Sequence, residues 1–209
     1  LDKLLTLPLE KRKKIIDAAM TCFAISGYKK TSINDIANTA KVSKALIFHY
    51  FGSKKALYLY LLELCGNIFL NEINEKFDSN ITDFFDRIKH VTEIEISILK
   101  KYPAMPSFLK SAYFENDDEV KDDIKAILFN EELENLRNKI ALGVDTSKFK
   151  DDIDPKMIMK IFTLLTDGYL SKLPANEIDL DVLCHEFYGY IDLFKKNFYK
   201  EEYTRFSQN

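Results

Sequence analysis

The stretch KVSKALIFHYFGSK, residues 41–54, sets Phe48, His49, Tyr50 and Phe51 side by side, with lysines on both flanks. Ser43, Lys44, His49, Tyr50 and Lys54 all carry donors that can reach phosphate oxygens or the edges of nucleic-acid bases. Charge along the chain favours such a target. Residues 1–65 hold eleven Lys and Arg against five Asp and Glu, a net of +6, which leaves −9 on the rest of a chain whose total is −3. A basic head on an acidic body is the balance of a protein that meets a polyanion with one end only. Arg12, Lys13 and Lys14 belong to this field as an exposed helix face rather than as contacts.

Other chemistries fit poorly. His49, His90 and His185 lie far apart, with no ligand spacing among them or the cysteines, so no metal site is expected. Acid pairs such as Asp117-Asp118 and Asp151-Asp152 read as solvated loop charge. With six glycines in the chain there is no phosphate-cradling loop and no nucleophile elbow. The expectation is therefore a protein without catalytic residues or cofactors. Cys22, Cys65 and Cys184 are odd in number and widely spaced, which argues against a disulfide framework and for a reducing, cytoplasmic setting. Neither a signal peptide nor a membrane span is expected, for want of a long uninterrupted apolar run.

Helical periodicity positions these residues. Ile15, Ile16, Ala19, Cys22 and Phe23 trace one face of a helix from Leu9 to Ser26, ended by Gly27. A second helix opens at Thr31 or Ser32, with Ser32 and Asp35 as a capping box, and ends near Ala40. Ser43 caps a short third helix, Gly52 ends it, and Ser53 caps a fourth that runs to about Phe77. Further helices are predicted near 81–101, 104–115, 119–142, 155–172 and 179–200, with Pro103, Gly143, Pro155 and Pro174 among the breaks. The result is an all-α chain: a helix-turn-helix head at 1–53 joined by a long helix to a helical body at 54–209.

The turn between helices two and three is only Lys41-Val42-Ser43, the spacing at which a second helix enters the major groove. Ala37 and Ala40 let the helices approach, while Val42, Ile47 and Phe51 pack beneath. Phe48 can either pack under the helix or face a sugar or thymine methyl.

Residues 31–57, TSINDIANTAKVSKALIFHYFGSKKAL, resemble the DNA-binding region of the TetR family of bacterial transcriptional regulators. Ile36-Ala37, Val42-Ser43, Tyr50-Phe51 and Lys54 stand in that family's register, and AAMTCFAISGY resembles the end of its first helix. Lys41 and Ala45 depart from it, standing where glycine is usual. A lysine in a left-handed turn costs up to about 1 kcal/mol. The resemblance implies that Thr31 or Ser32 meets a phosphate, and that Lys44 and Ala45 face base edges. Ser43 is a further candidate contact, His49 and Tyr50 touch phosphate or sugar, and Lys54 pairs with another phosphate.

It also implies a homodimer on a palindromic DNA operator and a small-molecule effector in the body. The expected dimer face takes Ile158, Ile161, Phe162, Leu165 and Tyr169 from one helix. From the last helix it takes Phe187, Tyr190, Ile191 and Phe194. Aromatic and apolar residues rich enough to line an effector cavity are Phe69, Phe84, Phe85, Ile88 and Tyr102, with Phe108, Tyr113, Phe114, Phe129 and Phe162 further on. The expected effector is small and largely apolar. A second reading stays open, in which the head of an all-helical interaction protein docks a protein partner instead of DNA.

Overall fold

The computed structural model describes residues 6–172 and 178–204, apart from the side chain of Leu170. Helix α1 (Leu9–Lys30) is followed by α2 (Ile33–Ala40), α3 (Lys44–Phe51) and the long α4 (Lys54–Lys76). The body continues with α5 (Phe84–Lys101), α6 (Met105–Tyr113), α7 (Lys121–Leu128), α8 (Glu131–Ala141), α9 (Pro155–Lys172) and α10 (Leu180–Phe198). Among the described residues there is no strand, only an isolated antiparallel bridge between Phe149 and Tyr199. The break expected at Pro174 lies outside the described residues. The single helix expected over 119–142 is two, because Asn130 accepts the Leu133 N–H at 2.8 Å and starts a new helix.

Two apolar clusters hold these helices. The first runs from head to body: Ile15 and Phe23 of α1, Ile36 of α2, Ile47 of α3, Leu57 and Leu61 of α4, and Phe108 of α6. By length and composition α4 would suit a membrane, but its buried positions, Leu57 to Ile73, are taken up by this cluster. The second gathers Phe84 and Phe85 at the start of α5 with Phe149, Ile158, Phe162, Ile191 and Tyr199.

Polar groups tie the second cluster together. The Asp83 carboxylate caps α5, accepting from Phe85 N and Asp86 N at 3.1 Å each. It also takes Lys148 at 2.9 Å and Lys195, from α10, at 3.3 Å. Burial pushes its pKa up, but the two lysines and the cap amides outweigh that and hold it below the ordinary carboxylate range. Arg87 is buried and donates to the carbonyls of Ser79, Ile81, Ile140 and Leu142, satisfying its guanidinium with backbone alone.

Candidate nucleic-acid interface and effector cavity

The head is built from capped turns. Ser32 Oγ accepts from Asp35 N at 3.2 Å, and the Asp35 carboxylate takes Ser32 N at 3.1 Å and Ser32 Oγ at 2.6 Å. Those Ser32 bonds lower the Asp35 pKa. Lys41 then adopts φ 55 and ψ 45, and the amides of Val42 and Lys41 bond to Ala37 O and Asn38 O at 3.0 and 3.2 Å. This is a Schellman ending with lysine where glycine is usual. Ser43 Oγ accepts from Leu46 N at 3.2 Å and starts α3. Gly52, at φ 77, ends it, and Ser53 caps α4 through Ala56 N at 3.0 Å.

Between these caps α3 has two faces. Ile47 and Phe51 are buried, while Ser43, Lys44, Ala45, Phe48 and His49 are exposed and Tyr50 is half-buried. Phe48 therefore lies on the outer face, with the Lys44 ammonium 5.6 Å from its ring centre. His49 and Tyr50 stand edge to face at 5.0 Å. The outer face thus offers a cation, an imidazole, a hydroxyl and a flat apolar ring from one rigid support.

Two of the expected donors are placed differently. Thr31 is buried, and its hydroxyl donates to the carbonyls of Gly27 at 2.7 Å and Cys22 at 3.0 Å. Its role is to tie off the end of α1, which leaves Ser32 at the head of α2. Lys54 turns inward: its ammonium donates to Tyr28 O at 2.9 Å and lies 4.2 Å from the centre of the Tyr28 ring. Tyr28 lies in the last turn of α1, which ends at Lys30, so its carbonyl has no helical partner and is free to accept.

In the body, α4, α5, α6, α9 and α10 line an open apolar cavity of about 400 Å³. Of the residues expected to line it, Phe69 and Tyr113 do so. Phe84, Phe85 and Phe162 lie in the second cluster instead, with Ile88 packed against it. Phe108 is buried in the first cluster, Tyr102 packs on its margin, and Phe114 and Phe129 are exposed.

The expected dimer face is also redistributed. Ile158, Phe162 and Ile191 are buried within the chain, and Ile161, Phe187 and Phe194 pack on the same cluster. Leu165, Tyr169, Phe187 and Tyr190 line the cavity. Among the described residues, the large apolar side chains that α9 and α10 leave exposed are Met157, Met159, Leu164, Val182 and Leu193. Their signal in the sequence is that both helices are apolar over more than one face.

With the head's geometry in place, comparison with known proteins decides the family. Residues 15–61 match the family described as bacterial regulatory proteins, tetR family. The head belongs to the TetR family. The chain is similar along 190 residues, at 25% identity, to the biofilm operon icaADBC negative transcriptional regulator IcaR of Staphylococcus aureus, covering 88% of this chain and 99% of that one. The Staphylococcus epidermidis IcaR is 32% identical over 69 residues, which is 33% of this chain and 37% of the relative.

Solved TetR-family structures share the fold. A TetR family transcriptional regulator from Chloroflexus aurantiacus superposes with a TM-score of 0.66 at 19% identity, covering 96% of this chain and 99% of the other. FadR from Bacillus subtilis, solved in complex with stearoyl-CoA, gives 0.66 at 20% identity, covering 86% and 96%. Groups of three or more His, Cys, Asp or Glu side chains able to hold a metal do not occur among the described residues.

Proposed function

We propose that this TetR-family regulator is a cytoplasmic repressor that binds a palindromic DNA operator as a homodimer and is released by a small effector in the body cavity. The exposed face of α3 carries the reading. Ser43, Lys44, Ala45, Phe48 and His49 project from a helix whose opposite face is locked into the core at Ile47 and Phe51. In this reading Lys44 and Ala45 read base edges, His49 and Tyr50 hold the backbone, and Ser32 and Ser43 meet phosphates at helix N-termini. Lys54 keeps one donor for a phosphate beyond its bonds to α1. Negative regulation by the similar IcaR proteins supports repression, and the acyl-CoA bound by FadR supports an effector.

The apolar side chains exposed on α9 and α10 support dimerisation, which in this reading sets two α3 helices about one DNA turn, roughly 34 Å, apart. The switch runs through α4, whose Leu62 and Phe69 line the cavity and whose first turn carries Lys54, and through α6. Leu109 and Tyr113 of α6 line the cavity, while Ser111 donates to Phe23 O at 3.1 Å and Glu115, just beyond, accepts the Tyr28 N–H at 2.8 Å. An effector that prefers a displaced α6 shifts α1, and with it the spacing of the two heads. Such couplings are typically about 1–3 kcal/mol.

Selection of binding sites from random duplex DNA tests the DNA reading. A palindrome with half-sites one helical turn apart is expected, with affinity falling steeply as salt rises. Enrichment of no sequence, with capture of a protein partner by the head, would return the second reading.

A further inference from the structure

Helix α5 presents Thr92, Glu95, Ile96 and Leu99 to the cavity, an i, i+3, i+4, i+7 stripe on one helical face. Thr92, Ile96 and Leu99 suit a wall that continues through Leu62, Phe69 and Phe187. Glu95 does not, because a carboxylate there has lost the water that stabilises its charge. Burial alone pushes its pKa up to about 7.

Most other polar groups of the wall are engaged within the chain. Thr92 and Thr166 donate to carbonyls of their own helices, Ile88 and Phe162, at 2.9 Å each. Tyr113 donates to Asp167 at 2.8 Å, Tyr169 lies beside the Glu186 carboxylate, and Lys110 has a partner of its own. Glu95 has neither a hydrogen bond nor an ion pair among the described residues. An apolar cavity that holds an unanswered, half-buried carboxyl is complementary to an apolar body carrying a positive donor.

We propose that Glu95 is the polar recognition group of the cavity and that the effector is an amphipathic organic cation, an apolar body bearing a protonated amine. This deepens the reading of the cavity as the effector site and rests on it. The amine supplies the counter-charge and hydrogen bonds that the wall withholds, so ion-pair formation and apolar burial act together. A carboxylate of equal length meets the same apolar wall but a like charge.

Three probes of one chain length separate the possibilities: decylamine, decanol and decanoate, titrated calorimetrically into the whole protein at pH 7. Decylamine is expected to bind about tenfold or more tighter than decanol. Decanoate is expected to be weakest. Glu95→Gln, with its fold checked by circular dichroism, should erase the amine's advantage and leave decanol binding within about threefold. Equal binding of all three probes, or a preference for decanoate, overturns the role of Glu95 and leaves the cavity as an effector site. Failure of all three to bind overturns both readings.

A second measurement needs no variant. Decylamine affinity for the unmodified protein should rise between pH 6 and pH 8 as Glu95 ionises, since an alkyl amine keeps its proton throughout that window. Groups facing the cavity from other helices are Lys110 and Tyr113 on α6, Tyr169 on α9, and Cys184, Glu186 and Tyr190 on α10. Tyr113 and Tyr169 are both raised, through their hydrogen bonds to carboxylates first, and stay neutral across the window. A flat profile overturns the proposal.

Discussion

The ammonium of Lys54 is a structural tie before it is anything else. It holds the carbonyl of Tyr28 and covers that ring, joining the kinked end of α1 to the first turn of α4. A hydrogen bond from a charged donor contributes about 1.5–3 kcal/mol when well made, and less with partial exposure. Lys54→Ala should therefore lower stability by about 1–2 kcal/mol, besides weakening any DNA binding. Lys44→Ala, on the exposed face of α3, should change stability by less than about 0.5 kcal/mol and act on DNA alone. Urea unfolding followed by circular dichroism distinguishes them. Equal stabilities for the two variants would mean that the inward bonds of Lys54 contribute nothing.

Helix starts in this chain are set by short acceptors, and one of them gives the element a pH dependence. Asp83 caps α5 and binds Lys148 and Lys195, so its pKa in the folded chain lies below its unfolded value. A depressed carboxyl pKa contributes stability that is present above the unfolded value, about 3.9, and lost as pH falls through the folded one. Stability should then fall from about pH 4 downward. Asp83→Asn should be less stable than the parent at pH 7, with a shallower loss on acidification. Urea midpoints at pH 7, pH 4 and pH 3 measure both. Parallel acid profiles for parent and variant would remove Asp83 from the account.

For the whole molecule, the decisive question is what covers α9 and α10. Leu164 is 61% exposed, whereas Ile191, on α10, is 2% exposed. Leu164→Glu should leave helix content unchanged, shift sedimentation from dimer to monomer, and reduce operator affinity by more than about tenfold because one head reads only half a site. Ile191→Glu should unfold the body, since it buries an unpaired carboxylate in the second cluster. A monomeric parent protein, or a dimeric Leu164→Glu variant, would move the dimer contact off this stripe.

The head was legible in the sequence because its signals are local. Ser32, Ser43 and Ser53 act within one helical turn, Lys41 and Gly52 sit at turn positions that demand positive φ, and the spacing of Ile47 and Phe51 alone orients α3. None of these depends on a distant part of the chain. The body was legible only as helices. Its apolar residues encircle α9 and α10, so periodicity could not say which side meets the second cluster, the cavity or a partner. That was decided by how the helices cross, which buries Ile158 and Phe162, turns Leu165 and Tyr169 toward the cavity, and leaves Leu164 outside. Likewise a lysine at position 54 announces a donor, but only the packing of the start of α4 beside the end of α1 supplies the carbonyl that turns it inward. Glu95 carried no signal at all along the chain: an acid between isoleucines reads as a solvated flank until packing sets it in an apolar wall.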